Sequence, residues 1–337
     1  MRPIEIVGGG VAGLALGLAL RRAGVPATVF EAADYPRHRV CGEFISGLDP
    51  GTVEALGLRE VLADACPHRG VTYYLRSRPL GPFQLPGTAW GISRHALDAR
   101  IARAFVEAGG DLRTHTRVPE DETPPGRVFA VGRRRRGPFW VGLKVHVYNL
   151  SLANDFEVHL GDRAYVGLSR TENGAVNVCG VFAQRESAAR GVALLADYLR
   201  TAGLGSLADS LLTARMDTES FCVTAAPLGD WHVPQSDRVR VGDACASIAP
   251  FTGNGLAMAL QGAELALPLL RSYAEERAGW DETVSAVCRG HGRRFRRRLL
   301  LSSLLHPFFL ERRRQSLLAT LARSNLIPFG TFYGALH

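Results

Sequence analysis

The chain has 337 residues, of which 46% are hydrophobic, and a formal net charge of +8. A chain of this length and composition can bury a large core, which excludes disorder as its default state. Basic residues are dispersed apart from two arginine runs, and aromatic side chains do not interleave with them to form a stacking surface for bases. We therefore expect no nucleic-acid partner.

The six cysteines include no Cys-x-x-Cys pair, so the sequence predicts neither a metal site nor a disulfide framework. A reducing cytoplasm is the simplest setting for such a chain. The apolar stretch Val11–Leu20 follows Glu5 and contains glycines, which favours a buried helix over a signal peptide. A second apolar stretch, Leu299–Leu310, is too short to span a bilayer, so we predict no transmembrane segment.

The first 131 residues have the pattern of a parallel α/β domain. The predicted elements are a strand at Pro3–Val7, a helix at Val11–Arg22, a strand at Ala27–Phe30, a helix at His95–Ala108 behind a Ser93 cap, and a strand at Arg127–Val131. The strand, helix and second strand at the start form a β-α-β unit, which begins a parallel sheet.

From residue 140 to residue 181 the pattern changes. Short segments of alternating hydrophobicity, such as Val141-x-Leu143-x-Val145-x-Val147, are separated by polar or glycine turns and predict a separate antiparallel sheet. A helical stretch near Ala188–Ala202 follows. The chain then returns to a buried strand at Val239–Val241 and a long helix from about Gly255 to Tyr273, so the first domain is discontinuous in sequence.

A glycine-rich loop joins the first strand to the first helix. Gly8-Gly9-Gly10-Val11-Ala12-Gly13 matches G-x-G-x-x-G, in which Gly8 permits a tight turn, Gly10 lets backbone approach a diphosphate, and Gly13 allows close packing. Amides at the helix N-terminus bind the anion. Glu31, after the second strand, can accept hydrogen bonds from both ribose hydroxyls. This context predicts a dinucleotide site; the alternative is a glycine-packed turn without a ligand.

Two later segments indicate which dinucleotide binds. Val239-Arg240-Val241-Gly242-Asp243-Ala244 and Pro250-Phe251-Thr252-Gly253-Asn254-Gly255 resemble the second FAD motif of the group that contains aromatic hydroxylases, flavin halogenases and geranylgeranyl reductases. The resemblance implies that Gly242 and Asp243 lie at the ribityl chain of FAD. It also implies that the loop Pro250, Gly253, Asn254 and Gly255 faces the flavin edge. A turn or helix cap is the alternative role for Asp243.

The segment Arg39-Val40-Cys41-Gly42-Glu43 resembles the cysteine-glycine segment of geranylgeranyl reductases. The resemblance implies that Cys41 lies near the flavin face, where it is a candidate catalytic residue, and that Arg39 and Gly42 lie beside the cofactor. The alternative for Cys41 is a small buried residue, a common role of free cysteines.

Two further elements belong to the same resemblance. Arg94 and Asp98 resemble the Arg-x-x-x-Asp element that supports the cofactor domain, and an exposed i, i+4 ion pair is the alternative. Ala130-Val131-Gly132-Arg133 resembles a strand end of the group, although Val131 stands where aromatic hydroxylases usually have aspartate. The run Arg133–Arg136 predicts a solvated loop or a site that attracts a phosphorylated reductant.

Segments of the predicted sheet resemble bacterial FAD-dependent dehydrogenases of the geranylgeranyl-reductase-like type: Gly142-Leu143-Lys144-x-His146, Tyr165-Val166-Gly167-Leu168 and Glu172–Cys179. Lys144, His146 or Asn177 could reach a cavity, but each strand side chain has an even chance of facing away, so we assign no proton donor. The stretch between Arg113 and Arg127 is short, where relatives usually have extra strands.

The resemblance runs from about Ile4 to Leu270 and implies an α/β fold. We expect a glutathione-reductase-like FAD-binding Rossmann domain, an inserted antiparallel-sheet substrate domain of the p-hydroxybenzoate-hydroxylase type, and a helical C-terminus. The predicted FAD domain comprises residues 1–72, 90–135 and 236–290, the substrate domain residues 73–89 and 136–235, and the C-terminal segment residues 291–337.

FAD is the expected cofactor, with NAD(P)H as a transient reductant. Gly203-x-Gly205-x-x-Ala208 follows a helix rather than a strand, so it is not a second dinucleotide fingerprint. The first functional hypothesis is a reductase or dehydrogenase that acts on carbon-carbon bonds of a lipophilic isoprenoid, polyketide or fatty substrate, free or carrier-bound. The second is a monooxygenase of an aromatic or polyketide substrate, and the third is a flavin-binding protein without turnover.

The C-terminus combines arginines with leucines. Arg293–Arg298 stands beside Leu299, Leu300, Leu304 and Leu305, which predicts a segment that lies on a membrane surface or meets an acidic carrier protein. The alternative is a helical cap over the flavin domain with its arginines in solvent. We therefore expect a cytoplasmic protein, with peripheral membrane contact as a hypothesis.

Overall fold

The computed structural model describes residues 1–133, 140–226, 237–324 and 326–337. The strands are β1 (Ile4–Val7), β2 (Ala27–Phe30), β3 (Phe44–Ile45), β4 (Cys66–Leu75), β5 (Arg78–Gly91), β6 (Asp111–Arg113), β7 (Arg127–Phe129), β8 (Trp140–Tyr148), β9 (Phe156–Gly161), β10 (Ala164–Arg170), β11 (Val176–Ala183), β12 (Arg215–Ala225) and β13 (Val239–Arg240). The helices are α1 (Val11–Arg22), α2 (Pro50–Ala55), α3 (Arg94–Glu107), α4 (Val192–Thr201), α5 (Gly205–Thr213), α6 (Gly255–Ala274), α7 (Trp280–Leu305), α8 (Pro307–Leu310), α9 (Arg312–Arg323) and α10 (Phe329–Leu336).

Five strands form a parallel sheet in the order β6-β2-β1-β7-β13. Strands β7 and β13, at the positions of the strands predicted at residues 127–131 and 239–241, both join it, so distant parts of the chain contribute to one sheet. The core includes Leu14 and Leu18 of α1, Ile101 of α3 and Leu260 of α6, all fully buried. Burial on nearly every side explains why α1 is almost wholly apolar, and it agrees with the prediction of a buried helix.

The second sheet has eight strands in the order β12-β8-β11-β10-β9-β4-β5-β3. The prediction of an antiparallel sheet is corrected in one respect: β4 pairs with β9 in parallel, in the register Val71 to Phe156. The other pairings described are antiparallel. The sheet is mixed because β4, from an early part of the chain, joins the edge strand of a later antiparallel meander.

The alternation of β8 has a direct structural cause. Leu143, Val145 and Val147 share one face and pack against the apolar sides of α4 and α5. Lys144 and His146 point to the opposite face, which is also covered by protein. Because both faces are covered, these two polar side chains are buried and need polar partners.

The C-terminus is helical, as predicted, through α7, α8, α9 and α10. Residues 114–126 contain no strand, and the 203–208 segment consists of the end of the turn after α4 and the first residues of α5. The predicted domain limits at residues 72 and 90 fall inside β4 and β5, and the limit at 290 falls inside α7. The limits near 135 and 235 and residues 134–136 of the arginine run lie outside the described residues. Within the described ranges, no helix combines the length and apolarity that a membrane crossing requires.

Candidate functional site

A cavity of about 1030 Å³ lies between the carboxyl ends of the parallel strands and one face of the second sheet. Its size is at the upper end of the range of roughly 300–1,000 Å³ for small-molecule sites. Ligands of open α/β sheets bind beyond the carboxyl ends of the strands, so this is the expected position. Fourteen of the sixteen predicted cofactor residues line it: Gly8, Gly10, Val11, Ala12, Glu31, Arg39, Cys41, Gly42, Arg94, Gly242, Asp243, Pro250, Gly253 and Gly255.

The glycines of the loop have different roles: Gly8 and Gly13 are required by close packing, whereas Gly10 borders open space. Gly8 has a φ of +110°, and a Cβ at this position would overlap the carbonyl group of Ala130. A Cβ on Gly13 would overlap the carbonyl oxygen of Gly8, which is the close helix packing that the motif predicts and explains why Gly13 does not line the cavity. A Cβ on Gly10 would meet no atom within 4 Å. Gly10 therefore leaves backbone open to a ligand.

Glu31 follows β2 and is almost fully buried at the edge of the cavity. Its Oε2 accepts a hydrogen bond from the Gly9 amide at 2.9 Å, and its Oε1 accepts bonds from the Ala33 amide at 3.1 Å and from Arg37 at 2.7 Å. A carboxylate has about four lone-pair sites, so acceptor capacity remains for a ribose. The protein contacts fix the carboxylate against the glycine loop.

Residues 41–43, called here the 41–43 loop, connect the cavity to the second sheet. Asn177 of β11 donates to the Cys41 carbonyl at 3.0 Å, and Ser169 of β10 donates to the Gly42 carbonyl at 2.8 Å. The Sγ of Cys41 accepts a bond from the Glu43 amide at 3.4 Å. Burial raises the pKa of Cys41, against the opposing effect of Arg94. The thiol is therefore protonated at neutral pH.

Glu43 anchors this loop through a cluster that sequence reasoning missed. Its Oε2 accepts a bond from His146 Nε2 at 2.6 Å, and its Oε1 lies 3.2 Å from Lys144 Nζ and accepts a bond from the Arg94 amide at 2.9 Å. Lys144 also donates to His38 Nδ1 at 3.1 Å. Burial alone raises the pKa of Glu43, but the His146 hydrogen bond and the Lys144 charge hold it below its ordinary value.

The sequence contains one signal for this cluster. Two basic side chains, Lys144 and His146, lie two positions apart on a strand whose opposite face is apolar. The sequence leaves open whether Lys144 or His146 reaches the cavity, and in the structure neither lines it. Asn177 does not line it either, since its side chain binds the 41–43 loop. The three side chains face the cofactor domain and support the loop that borders the cavity.

Arg94 and Asp98 form a bidentate pair at the start of α3, with both nitrogen–oxygen distances at 2.7 Å. The alternative of an exposed pair is wrong, because Asp98 is fully buried and Arg94 lines the cavity. Arg39 lies 3.4 Å from Asp98 and 3.8 Å from Glu31. Arg39 therefore links Glu31 to Asp98 in the first turns of α3.

The second predicted motif borders the same cavity. Asp243 lies in a short turn, Gly242–Ala244. The N-cap of this turn is Val241, so Asp243 does not cap it. Its side chain is exposed at the cavity. Nearby protein raises its carboxyl pKa by desolvation, against the charges of Arg133 and Arg94. A ligand that hydrogen-bonds the carboxylate would offset that cost.

Asn254 does not lie at the cavity, although the motif predicted a cofactor contact. Its side chain is fully buried, and its Nδ2 donates to the Ser46 carbonyl at 2.8 Å. Asn254 thereby joins the start of α6 to the segment after β3. The physical reason for the difference is that the side chain turns into the protein while the neighbouring Gly253 and Gly255 face the cavity.

The second sheet supplies an apolar wall to the cavity. Phe156, Val158, Tyr165, Gly167 and Val181 lie on the sheet face that borders it. Phe44 stacks on Phe156 at a ring-centroid distance of 4.1 Å and extends the wall toward the 41–43 loop. This part of the cavity suits an apolar ligand.

Comparison with known proteins agrees with this geometry. Residues 6–54, which contain the glycine loop and Glu31, match the NAD(P)-binding Rossmann-like domain family. The menaquinone reductase of Mycolicibacterium smegmatis is 28% identical over 134 residues, which are 38% of this chain and 32% of that protein. The matched segment thus spans about a third of the length of that relative.

Three solved structures share the fold over nearly their whole lengths. A geranylgeranyl bacteriochlorophyll reductase-like protein from Thermoplasma acidophilum has a TM-score of 0.75 at 16% identity, covering 99% of this chain and 95% of that one. PqsL from P. aeruginosa, named a probable FAD-dependent monooxygenase, has a TM-score of 0.73 at 14% sequence identity, and the match covers 93% of this chain and 98% of PqsL. The flavin-dependent brominase Bmp2 has a TM-score of 0.71 at 16% sequence identity, and the match covers 98% of this chain and 93% of Bmp2. This chain has the fold of the FAD-dependent oxidoreductases.

The residues of this fold fit FAD. The glycine loop offers open backbone at Gly10, Glu31 is held against this loop, and Asp243 presents its carboxylate to the cavity. Gly42 and Gly255 also border open space, since a Cβ on either would meet no atom within 4 Å. A cradle of this length, with an acid at each end, fits a dinucleotide. The predicted fold class is confirmed, and the chain shares this fold with the flavin-dependent and reductase-like proteins named above.

Proposed function

We propose that this chain uses FAD to reduce or dehydrogenate carbon-carbon bonds of a lipophilic isoprenoid, polyketide or fatty substrate. The observation that carries this proposal is the apolar wall of the cavity, formed by Phe156, Val158, Tyr165 and Val181 beside the 41–43 loop. A wall of this kind binds a hydrocarbon chain and excludes water from the reacting bond. The fold of the reductase-like protein from T. acidophilum supports the same reaction class.

The roles of the residues follow from their positions. FAD, when bound, supplies hydride chemistry, and the protein supplies binding, orientation and electrostatics. The amides around Gly10 bind the diphosphate, Glu31 binds the ribose and Asp243 binds the ribityl chain. Cys41 lies at the cavity and is the candidate catalytic residue in this proposal. NAD(P)H acts as a transient reductant from solution.

A second candidate function is a monooxygenase of an aromatic or polyketide substrate. The observation that favours it is the shared fold with PqsL, which was solved in complex with 2-aminobenzoylacetate. The same dry wall that suits hydride transfer also suits oxygen chemistry. The two functions differ in whether oxygen is consumed.

The experiment that separates them is a stopped-flow reaction of the FAD-loaded protein. The flavin is reduced without oxygen and mixed with an unsaturated isoprenoid lipid, a polyketide or oxygen, and its absorbance is followed. We expect oxygen-independent reoxidation by an unsaturated lipid. Reoxidation that requires oxygen and adds oxygen to the substrate would instead support the monooxygenase, while a protein that binds no FAD would contradict both.

A further inference from the structure

The positive charge of this protein is concentrated in its last 55 residues. From Thr283 to His337 the sequence has ten arginines, no lysine and one acidic residue, Glu311, which gives a charge of +9. The rest of the chain therefore carries −1, since the whole chain carries +8. Such an asymmetry favours contact with an anionic partner through one region.

The structure places part of this charge on one face of α7. Arg293, Arg297, Leu300 and Leu304 follow one another at spacings of four, three and four residues, which is one side of a helix, and Arg296 lies beside them. All five side chains are exposed, Leu300 by 61% and Leu304 by 62%. Within the described part of the chain, none of the three arginines forms an ion pair with an acidic residue.

The opposite face of α7 packs in the core of the protein. Val287, His291, Phe295 and Leu299 are buried, and His291 bonds both Cys245 and the Gly262 carbonyl at 3.1 Å. The helix is therefore fixed to the cofactor domain, with its arginine-leucine face outward. Helix α9 has a similar exposed pair, Arg313 and Leu317, four residues apart.

The same C-terminal segment backs the apolar wall of the cavity. The ring of Phe309 stacks on Phe251 at 4.0 Å and meets Tyr165 edge-on at 6.4 Å, and both partners line the cavity. Helix α8 follows α7 after a single residue, so the segment that carries the outward face of α7 also contacts residues that line the cavity. A lipid-facing surface here would lie close to the site that takes an apolar ligand.

We infer that the exposed face of α7, formed by Arg293, Arg296, Arg297, Leu300 and Leu304, docks on the surface of an anionic lipid bilayer. The arginines contact headgroup phosphates, and the two leucines enter the boundary between headgroups and acyl chains. A purely solvated face, or one that binds a hydrophilic acidic protein, requires no exposed leucines in line with its arginines. The inference does not depend on the proposed reaction.

The test is vesicle cosedimentation of the full-length protein, with FAD content measured separately. We expect binding to vesicles that contain phosphatidylcholine and phosphatidylglycerol, and none to phosphatidylcholine alone. The triple substitution Arg293→Gln, Arg296→Gln and Arg297→Gln should lower the partition coefficient on the order of 100-fold, since each basic residue near the surface adds to binding. Leu300→Ser with Leu304→Ser should lower it by about tenfold.

Control variants change the same number of arginines, and one exposed leucine, elsewhere in the chain. Arg76, Arg78 and Arg190 are exposed, and Leu212 is an exposed leucine, all outside this segment. Their replacement by glutamine and serine should leave binding unchanged. Equal losses in the control and α7 variants, unchanged binding in the leucine variant, or binding of an acidic carrier protein in place of vesicles would each overturn the inference.

Discussion

The carboxylate of Glu43 lies 3.2 Å from the ammonium nitrogen of Lys144, and neither side chain is exposed to solvent. Glu43 belongs to the loop that borders the cavity, and Lys144 belongs to β8 of the second sheet. The pair thus fixes the position of Cys41 and Gly42 relative to the apolar wall. When Lys144 is removed, the buried carboxylate of Glu43 loses its lysine partner and keeps only its hydrogen bonds from His146 and the Arg94 amide.

Replacement of Lys144 by Met is therefore expected to lower the free energy of unfolding by about 3–5 kcal/mol, measured by urea denaturation. The double variant with Glu43→Gln should lose less than the sum of the two single variants, because no uncompensated charge remains. Arg59→Met, which breaks an exposed pair with Glu54, is the control and should cost less than about 1 kcal/mol. A similar cost for Lys144→Met would contradict the buried-cluster interpretation.

The glycine loop permits a test that separates folding from ligand binding. Gly10→Ala should leave the stability of the FAD-free protein nearly unchanged, because the new methyl group meets no atom within 4 Å. It should weaken FAD binding by about tenfold or more, because the methyl group occupies the approach to the diphosphate. Fluorescence titration with FAD measures the affinity.

Gly13→Ala is the matched variant. Its methyl group would overlap the Gly8 carbonyl, so thermal denaturation should show a destabilised protein even without FAD. If Gly10→Ala binds FAD as tightly as the wild type, the diphosphate does not lie at this loop.

Asp243 is expected to bind the cofactor without supporting the fold. Its side chain is exposed at the cavity, and nearby protein raises its carboxyl pKa by desolvation. Asp243→Asn should thus leave the thermal stability of the FAD-free protein nearly unchanged while weakening FAD binding by about tenfold or more, because a charged acceptor is lost. Asp237→Asn, at an exposed acid, is the control for both measurements. FAD binding by Asp243→Asn as tight as that of the wild type would rule out this role.

Buried histidines should make the protein acid-sensitive. Burial, followed by the nearby charge of Arg133, lowers the pKa of His306 to about 4, whereas an unfolded histidine titrates near 6.5. The unfolded state binds more protons between these values, so stability is present above about pH 6.5 and is lost as the pH falls toward 4.

Urea denaturation between pH 7 and pH 4 should show this loss, and His306→Gln should reduce its slope by up to about 1.4 kcal/mol per pH unit. His38 and His337, with pKa values also lowered to about 4 chiefly by burial, contribute in the same window. His115→Gln, at an exposed histidine, should leave the slope unchanged. An unaltered slope in His306→Gln would show that this residue is not buried in its neutral form.

Much of the cofactor site could be predicted because its signals are local. The spacing of Gly8, Gly10 and Gly13 encodes a turn, an open backbone and a helix contact within six residues, and Glu31 follows in the next strand. The Gly242–Gly255 segment likewise specifies its own turn and helix start. Residues close in sequence are constrained to be close in space, so their pattern determines this half of the cavity.

The tertiary structure alone decided how the other half is held. Glu43 and Lys144 are 101 positions apart in sequence, and nothing in either local segment specifies that they meet. The parallel pairing of β4 with β9 and the inward turn of Asn254 likewise depend on which distant segments pack together. A strand pattern fixes which residues share a face, but only the packing of the two sheets decides what that face contacts. For this reason the sequence identified the dinucleotide fingerprint, while the support of the 41–43 loop emerged only from the fold.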